Sequence, residues 1–125
     1  MLRLLLVGLG GGFGSILRYG TGGLVHRWAG QALFPWGTLV VNVLGCLLIG
    51  FLGSLSEARG VLTGEARLFL FIGILGGFTT FSTFGYETFQ LIRDGQISWA
   101  AANALSQLGL GLAAVWAGDV LGRLL

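Results

Sequence analysis

Charge is scarce in this chain of 125 residues. Charged side chains make up 10% of it, against roughly 25% in a soluble domain. Lysine is absent, and the net charge is only +2. These shortages exclude a disordered chain and a basic nucleic-acid-binding tail, and they argue against an ordinary water-soluble domain. A single cysteine, Cys46, excludes an intrachain disulfide framework and a cysteine-cluster zinc site. The glycine-rich run Gly8–Gly14 lacks the G-x-G-x-x-G spacing, and no Walker lysine follows it, so no nucleotide site is expected. The lone histidine, His26, has no acidic or metal-ligating neighbour in the sequence. No catalytic constellation is visible, and the chain is not expected to be an enzyme.

Apolar residues are what the chain has instead, at 54%, together with 24 glycines. Long uncharged intervals run from Leu4 to Leu17, Trp28 to Ser56, Leu68 to Tyr86 and Gly95 to Gly118. A membrane-spanning helix needs about 20 mostly apolar residues. The last three intervals meet this directly. The first meets it if Arg18 lies within or near the end of the span, where its side chain can extend to the interface. The pattern predicts one all-α transmembrane domain over residues 1–125, with four helices at about 3–25, 35–55, 67–91 and 97–121. Past the first hydrophobic stretch the chain stays apolar and no small-x-small site stands out, which favours a span over a cleaved signal peptide. Tyr19, Trp28, Trp36, Trp99 and Trp116 fall where interface anchors belong, and Pro35 precedes the second span, where a helix start tolerates it.

The arginines choose no clear orientation. Arg3, Arg59, Arg67 and Arg123 fall on one side of the expected topology, and Arg18, Arg27 and Arg93 on the other. This balance leaves open a weakly biased single orientation and insertion both ways up, and the second would permit an antiparallel dimer. Gly8–Gly12, Gly10–Gly14, Gly73–Gly77 and Gly118–Gly122 are small-xxx-small pairs that allow close helix approach in lipid. The pairs in the first and third spans, which belong to glycine clusters, are the stronger candidates.

Buried polar groups are costly in a membrane. Thr38, Asn42 and Gly45 share one face of the second span, and Asn103, Gln107 and Gly111 share one face of the fourth, with Ser106 beside them. The third span carries Gly76-Gly77-Phe78-Thr79-Thr80-Phe81-Ser82-Thr83-Phe84 at mid-depth. Its glycines cost helix stability and its hydroxyls compete for backbone hydrogen bonds, so a helix break is expected there. Such a break survives only when buried in protein or lining an aqueous cavity, and it frees carbonyls that can bind cations. Amide and hydroxyl donors without fixed charge can replace the hydration shell of a small anion and still release it. The positive ring edges of Phe81 and Phe84 could add to such a path. Interhelical hydrogen bonding and plain core packing are the simpler roles for the same residues.

Four segments resemble, in order, the bacterial Fluc fluoride-channel family, the CrcB-type proteins. They are Gly11-Gly12-Phe13-Gly14-Ser15-Ile16-Leu17-Arg18-Tyr19, Pro35-Trp36-Gly37-Thr38-Leu39-Val40-Val41-Asn42-Val43-Leu44-Gly45, Gly73-Ile74-Leu75-Gly76-Gly77-Phe78-Thr79-Thr80-Phe81-Ser82-Thr83-Phe84 with Glu87 beyond it, and Gly111-Leu112. The resemblance implies a multi-pass protein of the cell (inner) membrane that passes fluoride and excludes chloride, working as an antiparallel, dual-topology homodimer with two pores. It implies that Phe81 and Phe84 contact fluoride through ring edges, that Asn42 is a pore amide with Thr38 on the same track, and that Ser82 and Thr83 are nearby hydroxyls. It also implies a structural sodium ion (Na+) on the dimer axis, held by backbone carbonyls at Gly76 and Thr79. Arg18 would raise the anion concentration at the entrance, or snorkel to the interface. The fourth span departs from the family's pattern of hydroxyl side chains: Asn103 and Gln107 occupy the expected track, and a one-residue shift would use Ser106. Glu87 is expected to be structural.

Two other functions are weaker. A four-helix proton-coupled exporter needs a carboxylate in its binding chamber, normally in the first span, and this first span has none. A membrane scaffold or assembly protein without transport is the other, and anion efflux from liposomes distinguishes it from a channel.

Overall fold

The computed structural model describes residues 1–125 and contains helices and short connections only. Helix α1 covers Leu2–Ala29 and α2 covers Trp36–Arg59. The third leg begins with α3 (64–78), which combines an α-turn at Gly64–Arg67, a π-helical stretch at Leu68–Leu75 and one further turn at Gly76–Phe78. After a break at Thr79 and Thr80 it resumes as α4, Phe81–Arg93. Helix α5 covers Ile97–Leu124.

By length and composition, Trp36–Arg59, Gly64–Arg93 and Ile97–Leu124 are long and apolar enough to cross a membrane. The protein is therefore an all-α, multi-span membrane protein with a broken helix. Helix α1 is as long as α5, at 28 residues each. It is not among the three, because its glycines and the arginines at 3, 18 and 27 dilute its apolar content. The observed helices also run past the expected spans at their polar ends, since a helix can continue beyond the hydrocarbon region where charged residues meet water.

Close glycine contacts set the packing. Gly10 faces the Phe69 carbonyl and Gly73, and Gly14 faces Ile74 and Phe78. Both positions advance together along α1 and α3, so these helices run parallel. A β-carbon on Gly10 would lie 2.9 Å from the Gly73 α-carbon, and one on Gly77 would strike the Gly11 carbonyl. Helix α2 packs on α5 by the same means: Gly50 meets Val115, Gly118 meets Leu47, and Gly122 meets Phe51 and Ser54. Three of the four expected small-xxx-small pairs thus lie at helix contacts. Gly8 and Gly12 have open space around them. The Gly118–Gly122 pair, the weaker candidate in the sequence, is as tightly packed as the others because α5 lies along α2.

The break has a local cause. Thr79 and Thr80 adopt extended backbone, with ψ of 159° and 117°. The Thr79 hydroxyl donates to the Leu75 carbonyl at 2.9 Å, closing the end of α3. The Thr80 hydroxyl accepts from the Thr83 amide at 3.2 Å, capping the start of α4. Two adjacent threonines therefore end one helix and begin the next.

Candidate functional site

Asn42 of α2 sits opposite the break. Its Oδ1 accepts from the Thr80 amide at 2.9 Å, and its Nδ2 donates to the Thr80 carbonyl at 3.1 Å. Nδ2 also donates to Oε1 of Gln107 on α5, again at 3.1 Å. One side chain thus ties together the second, third and fourth legs at the point where helical hydrogen bonding stops. In an unbroken helix the Thr80 amide would serve the Gly76 carbonyl; here it serves Asn42 instead.

Two grooves meet at Thr80. The larger, about 1040 Å³, opens between the ends of α1 and α2 and reaches inward past Arg18, Thr38, Thr83 and Glu87. The smaller, about 460 Å³, is lined by Asn42, Gln107, Phe81 and Phe84 and also by Gly76 and Thr79. Thr80 lines both. Around it the Thr80 hydroxyl donates to the Thr83 hydroxyl at 3.0 Å and lies 3.4 Å from that of Ser82.

Each residue singled out in the sequence has a definite place. Phe81 and Phe84 pack edge to face, with ring centroids 5.5 Å apart. Phe81 is 81% exposed in the single chain. Ser82 and Thr83 are exposed on the same half-helix. Thr38 is buried and donates to Glu87 Oε1 at 2.8 Å, while Glu87 Oε2 is shielded without a partner. Arg18 directs Nη1 to the Thr79 carbonyl at 3.4 Å, a long contact.

The fourth leg divides its polar residues. Gln107 reaches the smaller groove. Asn103 lines neither groove; it is fully buried and donates to the Thr88 hydroxyl at 2.9 Å, which in turn donates to the Phe84 carbonyl at 2.7 Å. Ser106 folds back onto the Ala102 carbonyl at 2.6 Å. Of the alternatives for this span, the structure brings Gln107 to the groove and leaves Asn103 and Ser106 away from it.

Sequence reasoning missed the centrality of Thr80. The signal was present: Thr80 stands three residues before Thr83, the spacing of a hydroxyl that caps a new helix. It also left the Thr38–Glu87 bond unassigned, because the two residues lie 49 positions apart and only the fold joins them.

A multi-span helical protein with uncharged donors lining grooves on either side of a helix break has the make-up of a membrane channel. No group of three or more histidine, cysteine or acidic residues is placed to hold a metal. The chain belongs to the CrcB family: the family model described as "CrcB-like protein, Camphor Resistance (CrcB)" matches residues 5–119. It is 53% identical over 122 residues to a Thermus thermophilus protein named "Fluoride-specific ion channel FluC", covering 98% of this chain and 96% of that one. It is 46% identical over 123 residues to a protein of the same name from Geobacter sulfurreducens, covering 98% of each. A third, from Methylobacillus flagellatus, is 44% identical over 118 residues, covering 94% of this chain and 92% of that one.

Proposed function

We propose that this protein is a fluoride-specific ion channel that lets fluoride leave the cytoplasm down its electrochemical gradient, lowering internal fluoride and protecting against its toxicity. The observation that carries the reading is the 53% identity, over nearly the full length of both chains, to a protein named as such a channel. The groove chemistry supports it. Fluoride is small, strongly hydrated and a strong hydrogen-bond acceptor, so its water must be replaced by donors that do not trap it. Amides, hydroxyls and ring edges meet that requirement without covalent chemistry, and the protein is a channel and not an enzyme.

The proposed path enters by the larger groove past Arg18, whose charge raises the local anion concentration. It continues by Thr38 and Thr83 to the break, where Ser82 lies beside the Thr80 hydroxyl though it lines neither groove, then by Asn42, Phe81, Phe84 and Gln107. Asn103 supports this path through Thr88 and the Phe84 carbonyl.

The working unit is an antiparallel homodimer of four-span chains in the lipid bilayer. Supporting this, α4 presents Ser82, Thr83 and Phe81 on an exposed face beside non-helical backbone. At membrane depth such backbone has to be covered by protein or border water. A second copy of the chain supplies that cover, and the nearly even arginine distribution permits it to lie the opposite way up.

A structural Na+ at the dimer axis fits the same region. The Gly76 carbonyl has lost its helical donor to Asn42, and Gly76 is exposed on the open face. The Thr79 carbonyl has only the long Arg18 contact. Backbone oxygens are ligands suited to a hard cation, and the carbonyls of Gly76 and Thr79 from two copies would hold it.

Fluoride efflux from liposomes containing the purified protein tests the function. Rapid fluoride release with no chloride release is expected. Equal release of the two anions, or none of either, would overturn the reading, and substrate uptake linked to protons would favour an exporter.

A further inference from the structure

The larger groove draws its cations from α1. Ser15, Arg18, Gly22 and His26 all line it, and the steps of three and four residues between them keep them on one side of the helix. Arg18 lies at the inner end, with Nη1 3.4 Å from the Thr79 carbonyl at the break. His26 and Arg27 lie in the last turn of α1, at the mouth. His26 is exposed and stands one residue past the expected end of the first span, where water reaches it. It follows Arg18 by about 12 Å along the helix. Gly22 stands between the two on this face and adds no side chain.

No carboxylate cancels these charges. The ion pairs of the chain are Arg93–Asp94 and Arg123–Asp119, which leaves Arg18, His26 and Arg27 unpaired. The other titratable groups lining the groove are Tyr19 of α1 and Glu87 of α4, while α2 and the connection over 30–35 contribute none. Arginine stays charged at every pH that a cell meets. An imidazole changes its charge between pH 5 and 8. His26 is thus the member of this cationic lining whose charge follows acidity.

We propose that His26 tunes anion entry: when protonated, it joins Arg18 and Arg27 in drawing fluoride into the larger groove, so that the channel conducts faster in acid than at neutral pH. This rests on the channel reading above and assigns a regulation to its entrance. One unit charge acting across about 12 Å of water changes the local anion concentration about twofold. Salt screens such a charge over about 10 Å at 0.1 M, so the effect belongs to low ionic strength.

The test is single-channel current carried by the full-length protein in a planar bilayer, with dilute sodium fluoride in both chambers. Both chambers are set first to about pH 7.5 and then to about pH 5.5, which brackets the imidazole range. Current, unlike liposome release, does not register neutral hydrogen fluoride crossing the lipid. In the unsubstituted protein the current should rise about twofold on acidification, and added sodium gluconate should shrink the rise. His26→Gln should keep the lower current at both pH values, and His26→Arg should give the higher current at both. Neutralising Glu87 would change the groove's charge in the same direction, so a rise that persists in His26→Gln would overturn the assignment. So would a conducting, unsubstituted channel whose current is the same at both pH values. If the unsubstituted protein carries no fluoride current at either pH, the channel reading itself fails, which is distinct from a channel that conducts without responding to acid.

Discussion

Asn42 and Thr80 are joined by a two-way pairing in which one side-chain amide satisfies both backbone groups of a residue outside any helix. Paired this way, an extended residue persists between two helices at membrane depth without orphaned polar groups. The two grooves meet at this residue, so the hydrogen bonds that hold the break also hold the site together.

Replacing Asn42 by alanine should therefore disturb both fold and flux. It leaves the Thr80 amide and carbonyl without their partner, at a cost of about 1–3 kcal/mol for each buried group left unpaired. A lowered thermal transition in detergent and loss of fluoride efflux are expected. Wild-type stability in Asn42→Ala would show that the pairing contributes nothing.

The phenylalanine rings are expected to matter for conduction more than for folding. Phe81 is largely exposed in the single chain, and the edge-to-face pair with Phe84 lies at the groove. Phe81→Ile or Phe84→Ile keeps an apolar side chain and removes the polarised ring edge. Each should abolish fluoride flux while the purified protein keeps its oligomeric size on gel filtration. Unchanged flux would remove the ring edges from the account.

Glycine substitutions should separate by position. Gly77→Val drives a side chain into the Gly11 backbone, whereas Gly8→Val enters open space within the chain. The first should destabilise the fold by about 1–3 kcal/mol or more through overpacking, and the second should leave the thermal transition of the single chain close to its starting value. Equal effects would contradict the close approach of α1 and α3.

Arg18 should act on entry. Its neutral replacement, Arg18→Gln, can keep a donor near the Thr79 carbonyl while removing the charge from the larger groove. Fluoride flux should fall most at low ionic strength, and the difference from the unsubstituted protein should shrink as salt screens the entrance. A deficit independent of salt would place Arg18 in support of the break instead.

Much of this arrangement was legible in the sequence, for a physical reason. Long uncharged intervals between charged residues mark membrane helices, and Gly76-Gly77 followed by Thr79-Thr80 marks a place where a helix is hard to continue. The π-helical turns at Leu68–Leu75 were not legible, because an apolar run carries no mark of its hydrogen-bond register. Nor could spacing alone distinguish Gln107 from Asn103. They lie four residues apart on one face of α5, yet one reaches Asn42 and the other reaches Thr88. That difference depends on where α2 and α4 cross α5, which only the packed structure determines.

The most direct measurement of fluoride selectivity is single-channel current in a planar bilayer with high sodium fluoride and low sodium chloride on one side and the reverse on the other. Current that reverses near the fluoride equilibrium potential is expected, because neutral donors and ring edges strip and pass fluoride but not chloride. A reversal potential set by chloride, or the absence of any anion current, would contradict it.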